Sequence, residues 1–272
     1  MDKKVIFLDI DGTLVDFHGK IPDSAKQALA LAKKAGHHLV VCTGRSRYQI
    51  SREILSLPFD GIVGGAGAFV ICGGKELFHH YIQPKQRKKL ISYLEENNFF
   101  YSVQTDVGTL LNRRCAVLLD DVYKTMRLTE KQRKDLEGEL MIREDLENYE
   151  HSEKVIYHMA PFGVAQVQRD LSPDFTVTAM SYQNMKGSSG EIGISGLDKS
   201  TGMQAYLDCV GSKRADAVAF GDGANDIEML AFAGTGVAMG NAIESLKEYA
   251  DFVTKPVDED GIFFGFQKLH LI

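Results

Sequence analysis

Short apolar runs and amphipathic helical patterns alternate near the start of the chain. Strands are predicted at residues 5–8, 38–42 and 59–64, where apolar and small side chains dominate. Helices are predicted between these runs, at about residues 22–35 and 46–58. Because strand–helix–strand units of this length require parallel strands joined by right-handed crossovers, the pattern predicts a parallel α/β sheet.

The middle of the chain follows a different pattern. Helices are predicted at residues 85–96, 130–140 and 164–171, and strands at residues 99–104, 110–111, 155–159 and 175–179. This order of elements is typical of an α+β insert with antiparallel pairing. The segment is also long enough to bury a core of its own.

The first pattern resumes after residue 190. Helices are predicted at residues 199–210, 227–232 and 241–249, strands at residues 218–220, 235–240 and 252–254, and a last amphipathic helix after residue 254. Both ends of the chain therefore build one domain. We predict an α/β fold with a Rossmann-like parallel-sheet core over residues 1–83 and 189–272, and an inserted α+β domain over residues 84–188.

Polar residues follow three of the predicted core strands at the point where each strand ends. They occupy residues 9–13, 43–45 and 222–226, and Lys199 stands at the start of a predicted helix. In an open parallel sheet the carboxyl ends of the strands form one edge, and ligands bind along that edge. We therefore expect these residues to build a common site.

The first polar segment, Asp9-Ile10-Asp11-Gly12-Thr13, carries the strongest signal. Placing Asp9 and Asp11 beside an apolar core costs desolvation energy unless a cation and hydrogen bonds compensate. Gly12 and Thr13 allow a sharp turn and offer donors to an anion. The alternative is a turn in which the acidic residues only cap backbone groups, and Asp222 and Asp226 have the same alternative as helix N-caps.

In order and residue type, four segments resemble the four motifs of the haloacid dehalogenase superfamily of aspartate-dependent phosphohydrolases. They are Asp9-x-Asp11-Gly-Thr, Thr43, Lys199 and Gly-Asp222-Gly-x-Asn225-Asp226. The long insert between the second and third segments makes the resemblance closest to the Cof-type (type IIB) members, in which the insert is an α/β cap. The resemblance spans residues 9–226 and implies a phosphatase that hydrolyses small phosphorylated metabolites, such as sugar phosphates or phosphorylated cofactors.

Phosphate monoester hydrolysis needs a nucleophile, a proton donor for the leaving group and positive charge beside the phosphoryl oxygens. Asp9 fits the nucleophile, which forms an aspartyl phosphate, and Asp11 fits the general acid and then the base. Lys199 supplies a fixed cation. Thr43 is expected to donate a hydrogen bond to the phosphate, although a helix N-cap is its alternative role.

Three acidic residues at one sheet edge would repel one another without a cation, and Mg²⁺ is the expected one. Asp9 and Asp222 are expected as side-chain ligands. The resemblance implies that Asp11 binds through its backbone carbonyl. Asp226 is either a ligand or a group that orients Asp222 or a bound water.

Further residues are candidates for substrate contacts. Gly44 and Arg45 follow Thr43, and Arg45 is expected to reach the phosphate or a second anionic group of the substrate. Asn225 is expected to support Lys199 or the phosphate. In residues 64–68, where relatives often carry Asn-Gly-Ala, Ala66 departs from that pattern. Within the insert, the first candidates are Arg113, Arg114, Tyr182 and Lys186.

Two alternative functions remain open at this level. A phosphomutase would use the same aspartyl phosphate and return the phosphoryl group to a sugar hydroxyl. A non-catalytic sensor would bind phosphorylated metabolites or carry the phosphate on Asp9. Asp11 argues against the sensor, because a phosphate receiver needs no acid beside its acceptor.

Composition excludes several other classes of protein. The net charge of −6 over 272 residues argues against nucleic-acid binding, and no apolar run reaches membrane-spanning length. The first strand follows Met-Asp-Lys-Lys directly and leaves no room for a removable signal, so we expect a cytoplasmic protein, either a monomer or a homodimer. Buried free thiols are accordingly expected for Cys42, Cys72, Cys115 and Cys209.

Overall fold

The computed structural model describes residues 3–126, 130, 133, 140–179 and 188–272. The chain forms two compact units. The first unit comprises Met1–Gly44, Arg52–His79 and Leu197–Ile272, and the second comprises Arg45–Ser51 and His80–Gly196. Each unit has its own cluster of buried apolar side chains.

The strands and helices are numbered in chain order. The strands are β1 (Val5–Leu8), β2 (His38–Cys42), β3 (Gly61–Gly64), β4 (Phe69–Cys72), β5 (Lys75–His79), β6 (Phe100–Thr105), β7 (Thr109–Leu111), β8 (Leu140–Ile142), β9 (Ser152–Ala160), β10 (Phe175–Ala179), β11 (Ser188–Ile194), β12 (Ala217–Gly221), β13 (Thr235–Ala238) and β14 (Phe252–Val253). The helices are α1 (Asp23–Lys34), α2 (Arg52–Leu55), α3 (Pro84–Glu96), α4 (Arg113–Met126), α5 (Val164–Leu171), α6 (Lys199–Val210), α7 (Ile227–Phe232), α8 (Glu244–Lys247) and α9 (Gly261–Lys268).

The sheet of the first unit has the strand order β14-β13-β12-β1-β2-β3-β4-β5. The strands from β14 to β3 are parallel, and β4 and β5 extend the sheet as an antiparallel hairpin. In the centre, Leu8 of β1 pairs with Phe220 of β12 and with Val41 of β2. The residues that follow β1, β2 and β12 therefore emerge at the same edge, as the polar pattern predicts.

The sheet of the second unit has the order β10-β11-β9-β6-β7-β8 and is antiparallel except for the pair β7–β8. The predicted α+β character of the insert is thus confirmed. Its limits of 84 and 188 stay a prediction; in the structure β11 pairs with β10 and β9, and the second unit comprises Arg45–Ser51 and His80–Gly196.

Most predicted elements of both units are confirmed within one or two residues, but the helix predicted over residues 46–58 is interrupted. Residues Arg47–Gln49 form a single 3₁₀ turn, and α2 follows only after Ile50 adopts extended backbone with φ −78° and ψ 111°. The backbone N–H of Ser46 donates to the Gln49 side chain at 2.9 Å, as in a capping box, and so supports the start of this turn, which the extended Ile50 then ends.

Five elements were not predicted, namely β4, β5, β8, β11 and α4. The β4–β5 hairpin has a two-residue Gly73-Gly74 turn, which is a recognised hairpin signal. Helix α4 and strand β11 were also missed. The helix predicted over residues 130–140 falls mostly outside the described residues, and its last residue, Leu140, begins β8.

The expectation of four free thiols is wrong for two of the cysteines. Cys72 at the end of β4 forms a disulfide with Cys209 in the last turn of α6, while Cys42 and Cys115 are free and buried. The two bonded residues are 137 positions apart. They meet because α6 packs on β4, a tertiary contact that cysteine spacing does not reveal. None of the helices in the described part of the chain combines the length and apolar character needed to cross a bilayer.

Candidate active site

Asp9 and Lys199 form the centre of the polar cluster in the first unit. Asp9 follows β1, is 5% exposed, and its backbone N–H donates to the Phe220 carbonyl at 3.0 Å. The Lys199 side chain is fully buried, and its Nζ donates to Asp9 Oδ1 and to Asp226 Oδ1, both at 2.5 Å. One ammonium group therefore bridges two carboxylates from distant parts of the chain.

The start of α6 positions Lys199. Asp198 is the N-cap of this helix, and its Oδ1 accepts hydrogen bonds from the Thr201 N–H at 2.9 Å and from the Ser200 hydroxyl at 2.6 Å. The helix start lies against the turn Gly65–Gly67, so closely that a Cβ on Gly67 would lie 2.0 Å from the Asp198 carbonyl oxygen. Small residues in this turn thus let α6 pack closely on β3 and β4.

Asp226 is held by three donors. Its Oδ2 accepts the backbone N–H groups of Asp222 and Gly223, both at 2.9 Å, while its Oδ1 accepts from Lys199. The side chain has no exposed surface. Asp226 therefore fixes the loop that carries Asp222 and orients the Lys199 ammonium group.

Asp222 is held at both carboxylate oxygens. The Thr13 hydroxyl donates to Oδ1 at 3.2 Å, and the Asn241 side-chain amide approaches Oδ2 at 3.4 Å. Gly12 lies directly against this carboxylate at φ +83°, and a Cβ there would be 2.2 Å from Oδ2. Residue 12 must therefore lack a side chain for the Asp9–Thr13 turn to pack against Asp222.

The cluster carries more negative than positive charge. One carboxylate oxygen from each of Asp9, Asp222 and Asp226 can be chosen so that the three oxygens lie within 4.8 Å of one another. Within the described residues, Lys199 is the only cationic side chain that donates hydrogen bonds to these carboxylates. These oxygen donors could hold a metal ion, and an all-oxygen, anionic set suits a hard divalent cation.

The pKa values follow from burial and charge. Burial raises the pKa of Asp9 well above its usual value, and Lys199 opposes this shift only in part. Burial and the neighbouring Asp226 raise the pKa of Asp222 to about 7. Burial lowers the pKa of Lys199, but the charges of Asp226 and Asp9 outweigh it, so the net pKa is raised and the amine stays protonated.

The other predicted site residues of the first unit occupy the same loops. Asp11 is exposed, and its charge contributes to the raised pKa values of both Asp9 and Asp222. Thr43 is buried at the end of β2, where its N–H donates to Val63 O at 2.8 Å, and Gly44 follows it. Asn225 is exposed, and no hydrogen bond to Lys199 is found for it within the described residues.

The predicted site residues of the second unit already have protein partners. The Arg45 guanidinium donates to the Gln49 carbonyl at 3.0 Å, and Arg114 donates to the Phe99 carbonyl at 2.8 Å. Arg113 forms an exposed ion pair with Glu144 at 3.7 Å. Contacts of these residues with substrate stay predictions. The candidates Tyr182 and Lys186 lie outside the described residues.

Asn241 was missed by the sequence reasoning, although the signal was present. It follows the apolar run of β13, as Asp9, Thr43 and Asp222 follow their strands. The rule that polar residues at the carboxyl ends of parallel strands build the site applies to this strand as well.

Comparisons with known proteins agree with this geometry. A family model described as haloacid dehalogenase-like hydrolase matches residues 6–265. YkrA of Bacillus subtilis is 29% identical over 277 residues, with 100% of both chains covered. YitU of the same bacterium, a 5-amino-6-(5-phospho-D-ribitylamino)uracil phosphatase, is 30% identical over 278 residues, which cover 95% of this chain and 94% of YitU.

A solved structure supports the same relationship. It is described as the HAD subclass IIB sugar phosphatase BT4131, and it matches with a TM-score of 0.79 and 25% identity over 99% of this chain and 100% of that one. The family model spans nearly the whole chain, and YitU and BT4131 are both described as phosphatases, BT4131 as one of subclass IIB. This chain therefore belongs to the haloacid dehalogenase-like hydrolases and is a Cof-type phosphatase, a hydrolase of phosphoric monoesters.

Proposed function

We propose that the protein is a Mg²⁺-dependent phosphatase of small phosphorylated metabolites that works through an aspartyl phosphate on Asp9. The observation that carries this proposal is the buried Lys199 ammonium group between Asp9 and Asp226, beside a third carboxylate, Asp222. A buried cluster with this charge excess is costly for stability and is typical of a site that binds a cation and a phosphoryl group.

Asp9 and Asp222 are the side chains that would hold Mg²⁺, with the Asp11 backbone carbonyl as a third ligand. The bound ion would supply positive charge next to the phosphoryl oxygens. We assign Asp226 to a supporting role, because its two oxygens already accept hydrogen bonds from Lys199 and from two backbone N–H groups. This choice between the two roles considered for Asp226 follows from those contacts.

The first half of the reaction forms the aspartyl phosphate. Lys199 occupies Oδ1 of Asp9, which leaves Oδ2 to attack the phosphorus atom. As the new Asp9 O–P bond forms, the ester P–O bond breaks and Asp11 donates its proton to the departing alkoxide. Asp11 is suited to this step because it is exposed and can exchange protons with solvent.

The second half returns the enzyme to its starting state. Asp11, now a carboxylate, accepts a proton from water as the water oxygen attacks phosphorus, and the bond between Asp9 and phosphorus breaks. Lys199 offsets the negative charge on Asp9 and on the transferring group in both halves. Thr43 and Gly44 are proposed to donate to phosphoryl oxygens from the end of β2, with Arg45 and Asn225 as further phosphate or substrate contacts.

The relatives indicate the class of substrate. YitU acts on a phosphorylated ribitylaminouracil, and BT4131 is named as a sugar phosphatase. Both substrates are small polyhydroxylated phosphate monoesters. We propose a substrate of this class for the present protein, with the second unit as the part that selects it.

The test is phosphate release from p-nitrophenyl phosphate and from a panel of sugar and cofactor phosphates, with Mg²⁺ and with EDTA. Asp9→Asn and Asp11→Asn are each expected to abolish Mg²⁺-dependent release, while Asp216→Asn on the surface is expected to leave it unchanged. Full activity in either site variant would contradict the mechanism. Transfer of the phosphoryl group to a second hydroxyl of a hexose phosphate would instead identify a phosphomutase.

A further inference from the structure

We propose that Asn241 is a positioning residue of this phosphatase, which holds the Asp222 carboxylate in the orientation that binds the metal ion. The inference rests on the proposed function, since it concerns the same metal centre. Asn241 makes no hydrogen bond with Asp9 or Lys199 within the described residues, so its effect would pass through Asp222 and the Gly12 turn.

The Asn241 side chain joins three loops. Its Nδ2 donates to the Gly12 carbonyl at 2.8 Å and approaches Asp222 Oδ2 at 3.4 Å, and its Oδ1 accepts the Val257 N–H at 2.8 Å. The residues two positions before and after Asn241 also bind the Asp222 loop. Met239 N–H donates to the Gly221 carbonyl at 2.9 Å, and Ile243 N–H donates to the Asp222 carbonyl at 3.0 Å.

These contacts divide into two functions. The bond to Val257 anchors the Asn241 side chain to the loop before α9, which is far from the carboxylates in sequence. The two contacts of Nδ2 then tie the turn after Asp9 to the Asp222 side chain. An amide is suited to this arrangement because it offers an acceptor on one atom and two N–H donors on the other.

The geometry of Asp222 explains why this matters for metal binding. Thr13 holds Oδ1, Asn241 lies beside Oδ2, and Gly12 packs against both oxygens, so the plane of the carboxylate is fixed from three sides. Mg²⁺ demands near-ideal octahedral geometry, and groups that orient its ligands affect its affinity by about 10–100-fold. Loss of the Asn241 contact would free one side of the carboxylate.

The test is titration of Mg²⁺ into metal-free protein by calorimetry, without substrate. Asn241→Ala is expected to weaken the Mg²⁺ Kd by about 10–100-fold. In the p-nitrophenyl phosphate assay, the Mg²⁺ concentration for half-maximal rate is expected to rise by a similar factor, while kcat at saturating Mg²⁺ stays within about threefold of wild type. Substitution of a residue with only a structural role would not raise the Mg²⁺ concentration for half-maximal rate while leaving kcat nearly unchanged.

Thr254→Val is the matched control. The Thr254 hydroxyl donates to the Gly261 carbonyl at 2.7 Å and so fixes the same C-terminal region without contacting Asp222. This variant is expected to keep the wild-type Mg²⁺ Kd. Asn241→Ser, which is small and polar but too short to bridge the three loops, guards against a failure of the alanine variant to fold.

The outcomes are distinct. If the wild-type protein binds Mg²⁺ and both Asn241 variants bind it with the same Kd, the positioning role is overturned and the proposed function stands. If Thr254→Val weakens Mg²⁺ binding as strongly, the effect is a general loosening and the positioning role is again overturned. If the wild-type protein does not bind Mg²⁺, the metal centre of the proposed function fails, and this inference fails with it.

Discussion

Two lysine side chains are buried among the described residues, one in each unit. Lys199 of the first unit bridges Asp9 and Asp226, which are 190 and 27 positions away and are themselves buried. Lys154 of the second unit pairs at 2.7 Å with Glu191, whose side chain is 32% exposed. Lys199 thus lies in a cluster of carboxylates, whereas Lys154 pairs with one carboxylate.

The two sheets explain the difference. In the parallel sheet all strands from β14 to β3 run the same way, so their carboxyl ends bring distant residues to one edge. In the antiparallel sheet Glu191 lies opposite Ile156, and Lys154 is its diagonal neighbour across β9 and β11. The edge of the parallel sheet therefore brings several charged side chains together at one site, whereas the antiparallel pairing places two opposite charges side by side.

The largest expected effect comes from removing the first lysine. Lys199→Met is expected to lower kcat for p-nitrophenyl phosphate at saturating Mg²⁺ by about 10²–10³-fold, because no other cationic side chain among the described residues donates to Asp9. Lys154→Met is the matched control, since it removes a buried lysine from the other unit, and kcat is expected to stay within about threefold. An equal loss of kcat in both variants would contradict the proposed difference between Lys199 and Lys154.

The second prediction concerns Mg²⁺ and pH. Burial and Asp226 raise the pKa of Asp222 in the folded protein to about 7, whereas the unfolded chain has the usual value of about 4. The folded, metal-free protein therefore binds a proton on Asp222 more tightly than the unfolded chain does. Its free energy of unfolding accordingly falls as the pH rises from about 4 to about 7. Mg²⁺ binding needs the ionised carboxylate. Excess Mg²⁺ is therefore expected to stabilise the protein by about 2–3 kcal/mol at pH 8, and by less than half of that at pH 5.5.

Thermal unfolding with and without MgCl₂ at the two pH values measures this effect. Ca²⁺-free buffer and an Asp222→Asn variant serve as controls, and the variant is expected to lose both the stabilisation and its dependence on pH. A larger stabilisation at pH 5.5 than at pH 8 would contradict the prediction.

The third prediction concerns the stability of the second unit. Lys154→Met is expected to reduce the free energy of unfolding by about 1–2 kcal/mol, because Glu191 loses its partner but keeps some solvent contact. Urea unfolding measures the change. The double variant Lys154→Met with Glu191→Gln is expected to recover part of it, whereas a double variant less stable than the single one would argue against the ion pair as the cause.

The smallest effect is expected at the turn beside α6. Ala66 has a left-handed backbone with φ 54° and ψ 43°, which disfavours any residue with a Cβ except asparagine and aspartate. Ala66→Gly is expected to raise the free energy of unfolding by about 0.5–1 kcal/mol. Ala68→Gly is the control, because Ala68 has φ −68° and the same change is expected to lower stability there.

The apolar periodicity of the chain predicted much of the fold. The strands β1, β2 and β12 and the helices α1, α5, α6 and α7 lie where the patterns place them, because each buries a continuous apolar face. The interruption of the helix after Arg45 could not be predicted in this way, since the apolar pattern does not mark the extended backbone of Ile50 that ends the turn Arg47–Gln49. The Cys72–Cys209 bond depends on the packing of α6 on β4 and has no local signal.

The amino-acid sequence by itself determined which chemistry is possible, since it supplies carboxylates, a lysine and turn-forming glycines directly after apolar strands. Only the tertiary structure decided which partners each of these groups contacts, and therefore which role it has. Asp226 faces Lys199 and two backbone N–H groups, Asp222 lies between Thr13 and Asn241, and these pairings join residues up to 209 positions apart. Local patterns report burial and backbone conformation, but which side chains meet is set by the order and direction of the strands.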